Sequence, residues 1–280
     1  YGCAVSHEFA RAMVIDGSDG ADYLKDGPIA ALTTRAKTGW SATRPTLDQG
    51  NAILEEIDKG LQAGAPGIGS TVGYMRSGVS SREMYEVQKV GARYGRPTGA
   101  HTRYTLGTDT AENNGAQELV ANALALGAPA IVLHFNNDGW QLAHEMIIKL
   151  QEQGHNIWGE VYPYAAGSTT INAEFLVPES WIDEFGRRYE DTMLDPVTGE
   201  FYTLETYKET VASEPTRPIV IFKQPKENEA KWLTLKGVTM ASDGVGATPY
   251  DAPWDYPLEK LGGTHPRTAG ARGATIRLGR

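Results

Sequence analysis

Short apolar, glycine-rich segments that end in a polar or aromatic residue recur along the first half of the chain. Four of them end at Ser70, His101, His134 and Tyr162, about 30 residues apart, the length of one strand–helix unit. A helical pattern fills each interval. Alternation of strand and helix at this spacing predicts a parallel sheet, either doubly wound or closed into a (β/α)8 barrel.

The helices between these segments have recognisable ends. Ser80 and Ser81 are good N-caps for a helix that ends near Gly95. Two further helices are predicted, over residues 114–126 and from residue 137 or 138 to 153, and a glycine follows each. The segment 130–135 is almost entirely apolar, as a buried parallel strand requires.

Composition excludes several classes of protein. With 40% hydrophobic and 22% charged residues, the 280-residue chain is an ordinary globular sequence. Its longest apolar run, residues 128–135, is far shorter than the roughly 20 residues of a membrane span. A single cysteine excludes a disulfide framework, and a net charge of −9 argues against a nucleic-acid partner.

The strand–helix rhythm stops after Tyr162. Residues 165–229 are rich in proline, charge and aromatic side chains, which predicts an inserted, lid-like subdomain. A strand pattern returns over 234–243. The expected division is therefore 1–164 for barrel strands and helices, 165–232 for the insertion, and 233–280 for the last barrel strand and its loop.

Three potential metal ligands stand at predicted strand ends: His101, His134 and Asp243. The carboxyl ends of barrel strands gather at one face, and two imidazoles with a carboxylate are a common zinc set. The alternative is that both histidines are satisfied core or rim residues and that Asp243, which precedes a glycine, is a turn residue.

Two further clusters follow strand ends. Hydroxyl groups of the segment from Tyr162 to Ser168 are candidates for lining a pocket mouth, and Arg267 is a candidate for holding a substrate carboxylate. A rigid turn and a surface arginine are the competing interpretations. Among the other polar residues, Cys3 is expected to be a buried structural thiol and not a nucleophile.

The remaining histidines are weaker candidates. His144 and His155 are expected to be exposed or to lie near a helix end, and His7 has no clear assignment.

Seven motifs give the chain a resemblance to the D-aminoacylase (N-acyl-D-amino-acid deacylase) branch of the amidohydrolase superfamily. They occur in the family's order at residues 64–70, 101–103, 133–134, 160–164, 167–169, 242–244 and 265–267. The most distinctive are Tyr162-Pro163-Tyr164 and His265-Pro266-Arg267.

The resemblance implies a metal-bearing (β/α)8 barrel that hydrolyses N-acyl-D-amino acids with one or two zinc ions. It assigns His101 and His134 as zinc ligands and Asp243 as the catalytic acid/base beside them. Tyr162, Ser168 and Arg267 would hold the carboxylate of a small-molecule substrate.

The sequence departs from this family in several ways. It has neither the His-x-His pair of the first strand nor the cysteine ligand of the second, and Cys3 falls after those strands. We therefore expect about six of the eight strands and a chain that is part of a longer protein. Asn136 stands where the family often has a substrate-binding lysine, while residues 73–76 bring an arginine that could add a cation near the pocket.

Two other functions remain open from the sequence: a cyclic amidase or related amidohydrolase, and a non-catalytic binding protein derived from the barrel. A cytoplasmic location is expected, with the periplasm as the alternative, and homo-oligomerisation is possible.

Overall fold

Six parallel strands form the main sheet of the structure, a computed structural model that describes residues 3–18, 39–103, 115–137, 139–222, 224–241 and 276–277. The strands in chain order are β1 (Val5–Ser6), β2 (Ile68–Ser70), β3 (Thr98–Ala100), β4 (Ala130–Val132), β5 (Ile157–Val161), β6 (Ala166–Thr170), β7 (Met193–Leu194), β8 (Pro218–Phe222), β9 (Val238–Met240) and β10 (Ile276–Arg277). The main sheet has the order β1-β2-β3-β4-β5-β9-β10, and β10 alone pairs antiparallel.

Helices follow each of the strands β1 to β4. Further helices lie between β6 and β8 and directly after β8. They are α1 (His7–Asp16), α2 (Leu47–Gln62), α3 (Ser81–Arg93), α4 (Gly115–Leu126), α5 (Trp140–Glu152), α6 (Tyr189–Thr192), α7 (Leu204–Ser213) and α8 (Asn228–Trp232). Short 3-10 turns occur at Gly39–Ser41, Val72–Tyr74 and Glu174–Leu176, and a π-helical turn at Glu179–Glu184.

Helix α2 shows why the helices form where they do. Thr46 and Gln49 make reciprocal hydrogen bonds that satisfy the first turn. Ile53, Ile57 and Leu61 follow at helical spacing and are buried against the sheet side of the molecule. The same logic places Ser80 as the N-cap of α3, where its hydroxyl accepts from the backbone N–H of Glu83.

The second sheet belongs to an inserted unit, residues 166–222, between β5 and β9. Its strands are antiparallel in the order β6-β8-β7. It has a hydrophobic cluster of its own, centred on Trp181, Tyr189 and Ile219. The barrel cluster is separate, and it includes Trp232 of α8.

The alternation of parallel strands and helices confirms the predicted α/β class, and over the described residues the sheet is an open, incomplete barrel. The strands are shorter than predicted, because residues such as Leu133 and His134 turn away from the sheet directly after it. No helix in the described ranges is both long and apolar enough to cross a membrane.

Candidate metal centre

The carboxyl ends of β3, β4 and β5 bring three of the predicted site residues together. His101 directly follows β3, His134 comes two residues after β4, and Tyr162 directly follows β5. Backbone bonds continue the sheet into these ends: the N–H of His101 donates to the carbonyl of Ser70 at 2.9 Å. The three side chains therefore start from one edge of the sheet.

The imidazole rings of His101 and His134 lie next to each other. Their centroids are 4.5 Å apart, and the rings meet edge to face at 77°. The ring of Tyr162 lies 6.0 Å from that of His134. His134 and Tyr162 are buried, and His101 is half-buried.

The backbone of His134 is strained. Its φ of 32° makes it the one non-glycine residue with a positive φ among those described. The side-chain amide of Asn137 donates to the carbonyl of His134 at 2.7 Å and holds this turn. Strained backbone of this kind costs about 1–3 kcal/mol and occurs often at functional sites.

Gly73 gives His101 its space. A Cβ atom at Gly73 would stand 2.3 Å from Cδ2 and 2.6 Å from Nε2 of the imidazole, and 2.8 Å from the carbonyl oxygen of Thr102. Glycine is therefore required for the 3-10 turn after β2 to approach the ring this closely.

Aromatic rings cover the other sides of His101. The ring of Tyr74 lies 4.5 Å from it, and the ring of Phe175, from the inserted unit, stacks at 6.5 Å. The hydroxyl of Tyr74 is 3.1 Å from the hydroxyl of Thr169 on β6. The inserted unit thus reaches the candidate site through these contacts.

Asn136 has a structural role in this fold. Its side chain is buried, donates to the carbonyl of Tyr162 at 2.8 Å, and accepts from the N–H of Tyr162 at 3.3 Å. The amide is thus fully engaged with the backbone of the next strand end.

Arg76, the cation expected near the pocket, is paired with side chains of the inserted unit. Its guanidinium donates to the hydroxyl of Ser180 at 2.5 Å and lies 3.6 Å from the carboxylates of Glu174 and Glu184. All three partners belong to the inserted unit. Burial raises the pKa of Glu174, although the charge of Arg76 opposes that effect.

Ser168 is not brought to the strand ends. It lies within β6, where its hydroxyl donates to the carbonyl of Ile219 at 3.0 Å. Asp243 and Arg267 lie outside the described residues. Strand β9, which precedes Asp243, pairs with β5 beside Tyr162, and the N–H of Ala241 donates to the carbonyl of Val161 at 3.0 Å.

The described residues place two candidate metal ligands, His101 and His134, side by side. Within the described ranges no group of three His, Cys, Asp or Glu side chains is placed to hold one. Imidazole nitrogens are common ligands of zinc, and the two rings lie close together. Gly73 leaves room for the ring of His101. The pair of imidazoles is compatible with zinc, which would need at least one further ligand.

Sequence reasoning missed a buried polar cluster next to this edge. His7 directly follows β1, and its ring nitrogens lie 3.0 Å from the hydroxyl of Ser70 and 3.0 Å from a carboxylate oxygen of Glu83. Arg11 donates to the same oxygen at 2.5 Å. A histidine and an arginine four residues apart on one helix face, directly after the short strand β1, are the signal that could have identified it.

The charge of Glu83 is stabilised by these partners. Burial by itself would raise the pKa of its carboxyl group, but the His7 hydrogen bond and the attraction of His7 and Arg11 outweigh burial and lower the pKa. The cluster therefore contains a buried carboxylate, held ionised behind β2.

The other candidates lie away from the histidine pair. His155 is exposed, and the Nε2 of His144 lies 2.9 Å from the carbonyl of Lys236. The expectation that Cys3 is buried is wrong, since its side chain is exposed.

Comparisons with solved structures find the same fold. The chain superposes on the N-acyl-D-glutamate deacylase of Bordetella bronchiseptica, solved with zinc and a phosphonate inhibitor, with a TM-score of 0.58, 17% identity, and coverage of 77% of this chain and 46% of that one. A D-aminoacylase with a binuclear metal centre superposes with a TM-score of 0.56 and 15% identity, over 75% of this chain and 45% of that one. A further D-aminoacylase structure, described as defining a novel subset of amidohydrolases, gives 0.56, 16%, 76% and 47%.

These likenesses confirm, for the fold, the resemblance found in the sequence motifs. The chain spans less than half the length of these solved structures. Neither the protein-family models nor the curated proteins contain a match to the chain.

Proposed function

We propose that this chain carries part of a zinc-dependent amidohydrolase that cleaves the amide bond of N-acyl-D-amino acids. The observation that carries the proposal is the pair of imidazoles, His101 and His134, held with centroids 4.5 Å apart at adjacent strand ends. The solved structures with the same fold include a deacylase with bound zinc and a D-aminoacylase with a binuclear metal centre. The sequence motifs resemble the same group.

In this proposal His101 and His134 hold zinc, and Asp243 lies beside it. Bound zinc lowers the pKa of a water molecule to near 7 and polarises a carbonyl group. Gly73 lies against the ring of His101, and Asn137 holds the turn at His134 with a hydrogen bond. These contacts would fix the orientation of both rings before the metal binds.

Asp243 moves the proton. Its carboxylate takes a proton from the attacking water as oxygen bonds to the amide carbon, and returns it to the nitrogen as the carbon–nitrogen bond breaks. The products are a carboxylate and a free D-amino acid.

We assign the substrate carboxylate to Arg267 and Tyr162, with Ser168 as a weaker contributor. An arginine can bind a carboxylate with two parallel hydrogen bonds. Ser168 already donates to Ile219, and it would have to give up that bond to reach a substrate. Replacement of Ser168 by alanine should therefore affect turnover less than replacement of Arg267.

A cyclic amidase is the alternative within the enzyme class. An enzyme for uncharged cyclic amides has little need of a carboxylate clamp, so Arg267→Ala should impair hydrolysis of N-acyl-D-amino acids and spare that of cyclic amides. A non-catalytic barrel protein is the alternative outside it, and predicts a folded protein without zinc.

Zinc per chain is the measurement that tests the proposal. Elemental analysis after dialysis should find zinc in the purified protein and a loss of it in His101→Asn and His134→Asn. His155→Asn, at an exposed histidine, is the matched control and should keep the metal. A folded protein that takes up no zinc on supplementation would contradict the proposal.

Turnover is tested next, with a panel of N-acyl-D-amino acids and cyclic amides. Asp243→Asn should abolish hydrolysis and leave at least one zinc ion bound to the histidines. Near-normal turnover in that variant would exclude the role given to Asp243.

A further inference from the structure

Tyr74 is the side chain that joins the inserted unit to the candidate metal ligand His101. Its ring lies 4.5 Å from the imidazole, and 5.4 Å from the ring of Phe175. Its hydroxyl group is 3.1 Å from that of Thr169 on β6, an edge strand of the inserted sheet. One residue of the barrel is therefore in contact with a metal ligand on one side and with β6 on the other.

The segment that carries Tyr74 is fixed at both of its ends. Before Tyr74, the N–H of Gly73 donates to the carbonyl of His101 at 2.9 Å, and the glycine lies directly against the imidazole. After Tyr74, Arg76 is held by Ser180 and Glu174. A displacement of the inserted unit must move residues 72–76, and these residues touch His101.

The ring of His101 is enclosed by contacts of different origin. Tyr74 and His134 come from the barrel, and Phe175 comes from the inserted unit. Since an imidazole binds a metal only along the direction of its nitrogen lone pair, the angle at which these rings hold it affects metal affinity.

We propose that Tyr74 is a positioning residue that couples the inserted unit to His101, so that metal binding and docking of the inserted unit stabilise each other. The metal half of this inference rests on the proposed function. Because coupling between two equilibria is reciprocal, zinc should tighten the inserted sheet by the same factor by which the docked sheet favours zinc.

Two substitutions isolate the hydrogen bond. Tyr74→Phe removes the hydroxyl and keeps the ring against His101, and Thr169→Val removes the partner. Tyr94→Phe is the matched control, since Tyr94 donates to Asp58 at 2.8 Å at an exposed position between the end of α3 and the start of β3. All variants are made in the full chain.

Zinc affinity is measured by competition with a chromophoric chelator, and ligand geometry by the absorption spectrum of the cobalt(II)-loaded protein. Tyr74→Phe and Thr169→Val should each weaken zinc binding about 5-fold or more, and the double variant should be no weaker than either single one. The cobalt spectrum should change in these variants and not in Tyr94→Phe. Equal affinities in Tyr74→Phe and Tyr94→Phe, or additive losses in the double variant, would overturn the coupling.

Hydrogen exchange supplies the reciprocal measurement. Zinc should slow amide exchange over residues 166–176 in the original protein, and this protection should be lost in Tyr74→Phe. Protection that persists unchanged in Tyr74→Phe would also contradict the proposal.

A metal-free comparison separates this inference from the proposed function. If the original protein binds no zinc, the proposed metal centre is wrong. The contact between Tyr74 and His101 is then tested by amide hydrogen exchange of the metal-free protein. His101→Ala should accelerate exchange over residues 166–176 in the original background, and Tyr74→Phe should do so as well. Unchanged exchange in His101→Ala would show that the inserted unit does not depend on His101.

Discussion

The side-chain amide of Asn136 forms a closed pair of hydrogen bonds with the backbone of Tyr162, donating to its carbonyl and accepting from its N–H. It thereby joins the loop after β4, which carries His134, to the end of β5. The family that the sequence resembles often has a substrate-binding lysine at this position. In this chain Asn136 aligns two strand ends instead. The ring of Tyr162 is buried, 6.0 Å from that of His134.

Asn136→Ala should destabilise the protein by about 2–4 kcal/mol, because both backbone groups of Tyr162 lose a buried partner. Denaturant unfolding measures this effect. Asn122→Ala is the control, since the Asn122 amide donates to the side-chain oxygen of Gln88 between helices α3 and α4, and it should cost about 1 kcal/mol. Equal losses in the two variants would contradict the structural role of Asn136.

Gly73→Ala should disturb His101 more than it disturbs the fold. The added methyl group would overlap the imidazole and the carbonyl of Thr102, so the ring must move. We expect zinc affinity to fall about 10-fold or more, as for loss of an orienting contact to a ligand. Gly50→Ala, on α2 with nothing near the added Cβ, should leave zinc affinity unchanged and raise helix stability slightly.

At His134, glycine should be more stable than alanine. Both substitutions remove the imidazole, but only glycine adopts a positive φ without cost. The free energy of unfolding of His134→Gly should exceed that of His134→Ala by about 1 kcal/mol, the cost of left-handed backbone in a non-glycine residue. The usual order, with alanine more stable, would mean that the turn relaxes when the imidazole is removed.

Stability should depend on pH through Glu83. Its pKa in the folded protein is below the ordinary 4.5, so its charged form stabilises the fold above that value, and the contribution is lost as the pH falls through the lowered pKa. Glu83→Gln should cost about 3–5 kcal/mol at neutral pH, since Arg11 then keeps no buried counter-charge, and the difference should shrink below about pH 4.5.

Unfolding of both proteins in denaturant across this pH range measures the difference. Glu55→Gln is the matched control. Glu55 is exposed and lies 3.6 Å from Lys59, so its loss should cost less than about 1 kcal/mol at any pH. A gap between the original protein and Glu83→Gln that stays constant with pH would refute the assignment of charge to Glu83.

Local sequence patterns were enough to predict the strand–helix order and the position of the histidine pair. Capping serines, closing glycines and apolar runs act over a few residues, and parallel strands necessarily place their carboxyl ends together. His101 and His134 therefore follow from strand ends that the sequence already marks.

Other contacts depend on register between distant segments and could not be predicted. Asn136 and Tyr162 are 26 residues apart, and His7 and Glu83 are 76 apart. Nothing local distinguishes an asparagine that pairs with the next strand from one in a solvated loop. The antiparallel sheet of the inserted unit was also missed, because its prolines and charges indicated a lid-like loop region without a strand order.

The direct pairing of β5 with β9 has an evolutionary consequence. Gly159 lies opposite Val238, so the chain leaves the barrel and returns to it at neighbouring points of one sheet. Residues 166–222 have their own hydrophobic cluster. The pairing of β5 with β9 holds the two ends of this inserted unit close together. Such a segment can lengthen, shorten or exchange its sequence at little entropic cost and without shifting barrel register. Selection can thus remodel what covers the strand ends while the strands that carry the histidines stay as they are.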